Sequence, residues 1–346
     1  MENNEKVYHI IDSIKGGCGK TTFSIMLTEY LSRKIEKNTD NEKDQVCLLD
    51  MDFLGTGLFN LFYDNIGKDD NFEKVRKDFL VSNCFINDKI RGGSDVFGKK
   101  YIVDIEVEGK KFFIAFGNPG YDAKETYLQA IKNTSAMGLN FATIRAGLKK
   151  VLKDEELKKQ FPNNPRHIVV DLAPCNDSYS QAVKDIFFDR TESNYIIKES
   201  KINYYLMSGM DSSHLYNTYS YLVNMLKRDG KLANNYYIVF NDIAGKVADK
   251  NAYDSRINNI FKRLKSNLGY CPDNIHFLVL NYYAEYQKFL MNLEPLNDAG
   301  KSATPSSSSI FSSNPFRYCA MLDDKGNIIV KPILEDTEKE VLKWLI

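Results

Sequence analysis

Eight residues near the start, Lys15-Gly16-Gly17-Cys18-Gly19-Lys20-Thr21-Thr22, leave few folds open to this chain. They lie between a β-rich run, Val7 to Ile14, and an apolar-periodic stretch, Thr21 to Leu31. That order reads as strand, glycine-rich loop, helix. Glycines let the backbone turn so that successive N–H groups converge on phosphate oxygens, and the positive end of the helix adds to the attraction. Gly16, Gly17, Cys18, Gly19, Lys20, Thr21 and Thr22 are therefore the candidate phosphate cradle. Within it, Lys20 can neutralise β- and γ-phosphate charge, and the Thr21 hydroxyl can hold Mg2+. The usual pattern G-x-x-x-x-G-K-[ST] opens on glycine where this chain has Ile14, and a second lysine, Lys15, heads the loop.

Further apolar runs follow: Val46–Asp50, Phe112–Phe116, His167–Asp171, Tyr204–Met207, Tyr236–Phe240 and His276–Leu280. Continuous rather than alternating apolar runs mark strands buried on both faces. Helical patterns separate most of them, at about 124–133, 139–160, 178–188, 212–228, 254–267 and 284–292. Strand and helix alternate, so the expected class is α/β: a doubly wound, mostly parallel sheet with helices on both faces, of P-loop NTPase type. Ligands in such sheets sit at strand carboxyl ends. Two strands end in acids there. Asp50 and Asp52 close one, and Asp171 closes another. Of a carboxylate pair beside a phosphate loop, one can orient an attacking water while the other supports Mg2+.

Two regions interrupt the alternation. Residues at about 58–110 read as an insertion on the rim of the sheet, closing with a hairpin, Tyr101–Val107 to Lys111–Phe116. Residues 301–314 are Ser-rich and read as a mobile surface loop. A short hairpin around Asp324–Asn327 and a terminal helix at about 334–346 come next. The expected organisation is one domain over 1–295, carrying the insertion, and a C-terminal extension over 296–346.

Lys and Arg total 46, as do Asp and Glu, so the formal charge is zero. An overall basic coat for nucleic acid is excluded, while a local basic face is not. Arg256, Lys262, Arg263 and Lys265, on or near one helix, keep DNA open as a partner. No apolar run approaches the ~20 residues of a membrane span. The terminal stretch Glu338–Ile346 is amphipathic but follows Glu335 and Asp336, and it carries Glu338 and Glu340. Membrane-surface helices normally carry Lys or Arg there, so a helix packed on the domain is expected. Six scattered cysteines without a C-x-x-C pair, behind a polar start, point to a reducing cytoplasm. His9, His167, His214 and His276 show no metal-site or dyad spacing.

Lys15–Thr22 resembles the deviant Walker A box of the ParA/MinD ATPases. Leu48-Leu49-Asp50-Met51-Asp52-Phe53-Leu54-Gly55 is similar to that family's D-x-D-P-Q-G box, without its Pro and Gln. Ile168–Cys175 resembles its Walker B and switch segment, with Cys175 where many members have Gly. Ile238–Asn241 resembles its strand ending in Asn. After the last strand, where the family has Pro, this chain has Asn281-Tyr282-Tyr283. The likeness spans roughly 7–60, 112–242 and 254–292. It implies ATP and Mg2+ as cofactors, an ATP-sandwich homodimer, and slow hydrolysis that switches an unidentified protein partner or positions a cargo. It also implies roles: Asp52 positions water, Asp171 holds Mg2+ through water, Asn241 reads adenine, and Lys15 crosses to the partner's nucleotide. Two alternatives stand beside it: an ATP-dependent biosynthetic enzyme of the dethiobiotin synthetase or cobyrinate amidase type, and a non-hydrolysing nucleotide-binding module.

Overall fold

The computed structural model describes residues 5–36, 46–52, 102–107, 110–115, 165–174, 178–188, 200–229, 233–241, 250–269, 274–280, 314–322 and 328–346. Expected features at 58–101, 124–133, 139–160, 284–292 and 301–313, together with Phe53–Gly55, Cys175 and Asn281–Tyr283, lie outside these residues.

The described strands form one sheet. In chain order they are β1 (Lys6–Ser13), β2 (Val46–Met51), β3 (Ile102–Val107), β4 (Lys110–Ala115), β5 (His167–Leu172), β6 (Ser200–Gly209), β7 (Asn235–Asn241), β8 (Ile275–Leu280), β9 (Phe316–Leu322) and β10 (Ile328–Pro332). Across the sheet the order is β10-β9-β8-β7-β6-β1-β5-β2-β4-β3. From β8 through β4 every neighbouring pair is parallel. Antiparallel hairpin strands finish both edges, β3 against β4 and β9–β10 against β8. β1 lies between β5 and β6, all eight of its residues buried, so the loop that follows it emerges at the middle of the carboxyl edge.

Side chains alternate between the two faces of each strand. One face packs under α2 (Ser178–Phe188), α3 (Ser212–Asp229) and α4 (Lys250–Leu268), through Tyr8, Ile10, Val170, Tyr204 and Leu206. The other packs under α1 (Lys20–Glu36) and α5 (Glu335–Leu345), through Ile11, Leu48, Val169, Tyr205 and Val239. Helices on both faces of a mostly parallel sheet are the class the alternation pointed to.

The described residues from 314 onward are part of the same fold. β9 and β10 continue the sheet, and α5 closes over the second core. Val341 and Leu345 are fully buried, and Leu342, Trp344 and Ile346 pack against that core, so the apolar face of the helix is spent within the fold. The last carbonyls of a helix lack intrahelical partners. Here the sheet supplies donors: Trp344 O accepts from Tyr237 Oη (2.8 Å), Lys201 Nζ (3.1 Å) and Asn235 Nδ2 (3.2 Å), and Leu345 O accepts from Asn203 Nδ2 (2.9 Å). At the other end of α5, Glu338 takes Tyr30 Oη at 2.9 Å and Lys34 Nζ at 2.8 Å, tying it to α1. Among the described residues no helix is long and apolar enough to cross a membrane.

Beneath α1 and α5 lies a polar pair that sequence spacing did not reveal. His9 Nε2 meets His167 Nδ1 at 3.1 Å across β1 and β5, and His9 Nδ1 meets Tyr205 Oη at 3.0 Å. Both imidazoles are buried. Burial, with Arg166 and Lys201 nearby, pushes His167 down to about 3. The folded chain therefore refuses a proton that the unfolded chain accepts near pH 6.5. Stability held by a neutral His167 is complete above that pH and is lost as pH falls toward 3. We expect the stability advantage of wild type over His167→Asn, read from urea midpoints, to shrink below pH 6.5 by at most about 1.4 kcal/mol per pH unit. A gap that does not change with pH would mean that His167 is not held neutral.

Candidate nucleotide-binding site

The loop Ile14–Gly19 turns through two residues that a side chain would strain: Gly17 has φ +76° and Gly19 φ +78°. A Cβ added at Gly16 or Gly17 would meet nothing within 4 Å, so open space lies over the loop. Phe23 N donates to Gly19 O at 2.9 Å, opening α1 directly from the loop. Lys20 is buried, as are Cys18 and Thr22, while Thr21 is half-buried. Burial raises the Cys18 thiol above its usual range, which keeps it protonated.

The acids converge on the first turns of α1. In the parallel register of β2 and β5, Asp50 stands level with Asp171. Both belong to the face that packs under α1. Asp171 accepts from Ser24 Oγ at 3.1 Å and from the Thr21 hydroxyl. Burial lifts its carboxyl to about 6, with Asp52 adding to the rise; Lys20 and the hydroxyl donors oppose it. Asp50 is pushed well above the carboxylate range by burial, then by Asp52 and Asp171. Its Oδ1 accepts Asp52 N at 3.0 Å, and its Oδ2 is buried without a hydrogen-bond partner. Asp52, just past the strand end, is half-buried. An orphaned carboxylate oxygen beside a second buried carboxylate is a donor set that fits a hard divalent cation.

Asn241, at the end of β7, reaches the loop itself. Its Nδ2 donates to Cys18 O at 3.0 Å, leaving a buried Oδ1 without a partner. Lys15 points elsewhere. Its ammonium donates to Ser213 Oγ at 2.7 Å on the first turn of α3, and its carbonyl accepts Ser13 Oγ at 2.9 Å. Asp211 caps that helix by accepting His214 N at 3.0 Å, and it also pairs with the His214 ring. Those contacts, the ring hydrogen bond first, hold the Asp211 carboxyl down at about 2. Ser24, Asp211, Ser213 and His214 escaped sequence reasoning. Asp211-Ser212-Ser213 ahead of an amphipathic stretch is a helix-start signal that marks this turn, though not its contact with Lys15. Of the basic residues considered for DNA, Lys262, Arg263 and Lys265 are exposed, whereas Arg256 donates to Met210 O at 2.7 Å.

A glycine loop on the central strand, a helix leaving it, and strand-end acids beside it on a doubly wound sheet define the P-loop NTPase type of fold. No family model matches the chain, and no curated protein does. Solved structures similar to it include a plasmid partition protein from Borrelia burgdorferi, at 18% identity, covering 84% of this chain and 95% of that one, with TM-score 0.48. The pNOB8 ParA shows 16% identity, covers 78% of this chain and 74% of its own, and has TM-score 0.48. The septum site-determining protein MinD from Pyrococcus horikoshii OT3, solved with Mg-ADP, shows 12% identity, coverage of 84% and 86%, and TM-score 0.43.

Asp171 at about 6 gives the site a pH dependence. Its folded value lies above the unfolded one, so above pH 6 the folded chain carries a buried charge that a divalent cation would stabilise beyond what Lys20 and the hydroxyl donors supply. The gain in ATP affinity on adding Mg2+ should therefore be larger at pH 7.5 than at pH 5. Asp171→Asn should reduce that difference, because the ATP phosphates titrate alike in both proteins. Calorimetry at the two pH values checks this, and equal differences in the two proteins would count against Asp171.

Proposed function

We propose that this chain is a ParA/MinD-like ATPase that binds Mg·ATP at the loop 15–22, pairs with a second copy around the nucleotide, and hydrolyses it slowly to switch a protein partner. One observation carries the reading. The first turns of α1, which begins at Lys20 and Thr21, lie against Asp171, with Asp50 level with it on the next strand and Asp50 Oδ2 unpartnered.

The roles follow from position. Backbone N–H groups of Gly16–Thr21 and the Lys20 ammonium receive phosphate oxygens, holding the terminal phosphate at the carboxyl edge of β1. Thr21 and Asp171 would hold Mg2+, with Asp50, level with Asp171 on the next strand, supporting them. When bound, Mg2+ neutralises the charge that develops on the phosphate oxygens. Asp52, half-buried at the rim, orients the attacking water. The Asn241 amide lies against the loop at Cys18 O, with Oδ1 left to accept from an exocyclic amine. Lys15, at the head of the loop with its exposed ammonium on Ser213 of α3 in the single chain, is available to a nucleotide presented by a second copy.

Lys20→Ala should lose about 1.5–3 kcal/mol of ATP binding, ten- to a hundredfold, the worth of a charge-assisted phosphate contact. Asp52→Ala should bind ATP normally and hydrolyse it far more slowly, since a water-orienting group acts mainly in the transition state. Calorimetry and single-turnover rates distinguish the two effects. Unchanged affinity in Lys20→Ala would remove the phosphate-loop assignment.

Dimerisation is a separate matter. Light scattering should show a dimer with ATP and not with ADP, most persistent in Asp52→Ala. Lys15→Ala should bind ATP as a monomer and lose most hydrolysis. A dimer equally strong without nucleotide would rule out the switch while leaving nucleotide binding intact.

A further inference from the structure

A pair of buried charges at the root of the phosphate loop has no part in the site described above. Asp12, the residue before the last of β1, is wholly buried, and Lys184 in the middle of α2 is almost so. The Lys184 ammonium donates to Asp12 Oδ2 at 3.2 Å and to the Tyr221 hydroxyl of α3 at 3.2 Å. Tyr204 of β6 donates its hydroxyl to the same carboxylate oxygen. The other oxygen, Oδ1, accepts the backbone N–H of Ser13 at 2.8 Å, and Ser13 Oγ in turn donates to the Lys15 carbonyl at 2.9 Å. β1, α2 and β6 thus meet on a single carboxylate two residues before Ile14, and α3 joins them through the Lys184 ammonium. Asp12 belongs to the face covered by α2 and α3, whereas Asp50 and Asp171 belong to the face covered by α1. The loop is held at its root from the side opposite its acids.

Stability alone does not account for such a pair. Two buried charges lose in hydration roughly what they gain from each other, and uncharged groups of similar shape commonly serve as well or better. Burial works against the Lys184 charge, but Asp12 and Tyr221 outweigh it and hold the ammonium above the ordinary lysine range. What the pair supplies is location. Asp12 accepts a hydrogen bond at each oxygen, so the Ser13 peptide it carries has one position, and through Ser13 so does the Lys15 carbonyl. The far partner is on α2, the next described helix after β5, the strand that carries Asp171; Ser180 Oγ of α2 lies 3.4 Å from Ala173 O just beyond that strand.

We propose that Asp12 and Lys184 are positioning residues for the phosphate loop, fixing the start of the loop relative to the strand that carries Asp171. The proposal rests on the ATP-binding reading above. It touches no phosphate directly: the pair acts through Ser13 and Lys15.

The test compares wild type with Asp12→Asn, Lys184→Met and the double variant Asp12→Asn/Lys184→Met. Asn keeps an acceptor for Ser13 N–H, and Met keeps the length of the lysine stem. Melting temperature, calorimetric affinity for Mg·ATP and single-turnover rate are read on each. The single variants should melt lower, because each strands one buried charge. The double variant should regain the wild-type melting temperature, yet bind Mg·ATP about tenfold more weakly and turn it over on the order of a hundredfold more slowly, the effect of a reacting geometry displaced by about 1 Å. A purely structural pair would not separate melting from binding in this way. A double variant that melts, binds and turns over like wild type overturns the proposal, as does one that melts as low as the single variants. A wild type that does not bind Mg·ATP overturns the ATP-binding reading and this proposal with it, which separates the two failures.

Discussion

Asp50 and Asp171 are buried level with each other on adjacent parallel strands, and the repulsion between them shapes the site around them. Left alone, two such groups would stay protonated. Thr21 and Ser24 of α1 hydrogen-bond Asp171, and the charge of Lys20 favours its ionised form. Asp50 has only the Asp52 backbone N–H on one oxygen and nothing on the other. The arrangement is incomplete as a set of hydrogen bonds, and a divalent cation would complete it. That is why α1 must start where it does: its first residues bring a cation, a hydroxyl and N–H groups to the same few ångströms.

Holding α1 there falls to elements far away in the chain. Phe23 and Tyr30 of α1 meet Phe316 of β9 edge-on, at ring separations of 6.1 and 5.9 Å. Glu338 of α5 ties down Tyr30 and Lys34. The carboxyl end of α5 is held in turn by donors from β6 and β7. The segment after residue 314 is thus the outer wall of the layer that contains the phosphate-loop helix. The apolar face of α5, expected from the sequence to pack on the domain, is spent on the second core, to which Phe316 and Cys319 of β9 also belong.

Much of the fold was legible because its signals are local. Continuous apolar runs mark strands buried on both faces, and those at Val46, His167, Tyr236 and His276 begin within a residue of the observed strands. Helices at 178–188 and 212–228 end within a residue of α2 and α3. The loop and its two lysines are contiguous, so their chemistry needs no tertiary knowledge. The role of residues 316–332 was less legible. A hairpin can be read from its turn residues, but which edge it joins depends on pairing with β8, set by packing rather than by its own sequence.

The sequence by itself determined the class of sheet, the glycine-rich loop between β1 and α1, and which strands end in acids, because each follows from composition and spacing along a few residues. Only the tertiary structure decided which of those acids are neighbours, since the level pairing of Asp50 with Asp171 depends on β2 and β5 lying side by side, 121 positions apart in the chain. It also decided where Lys15 rests, on Ser213, and what holds the loop at its root, Lys184 on Asp12. Polar groups buried from water must find partners wherever folding brings them. For His9 and Asp12 the side-chain partners stand between 158 and 196 residues away, beyond the reach of any pattern along the chain.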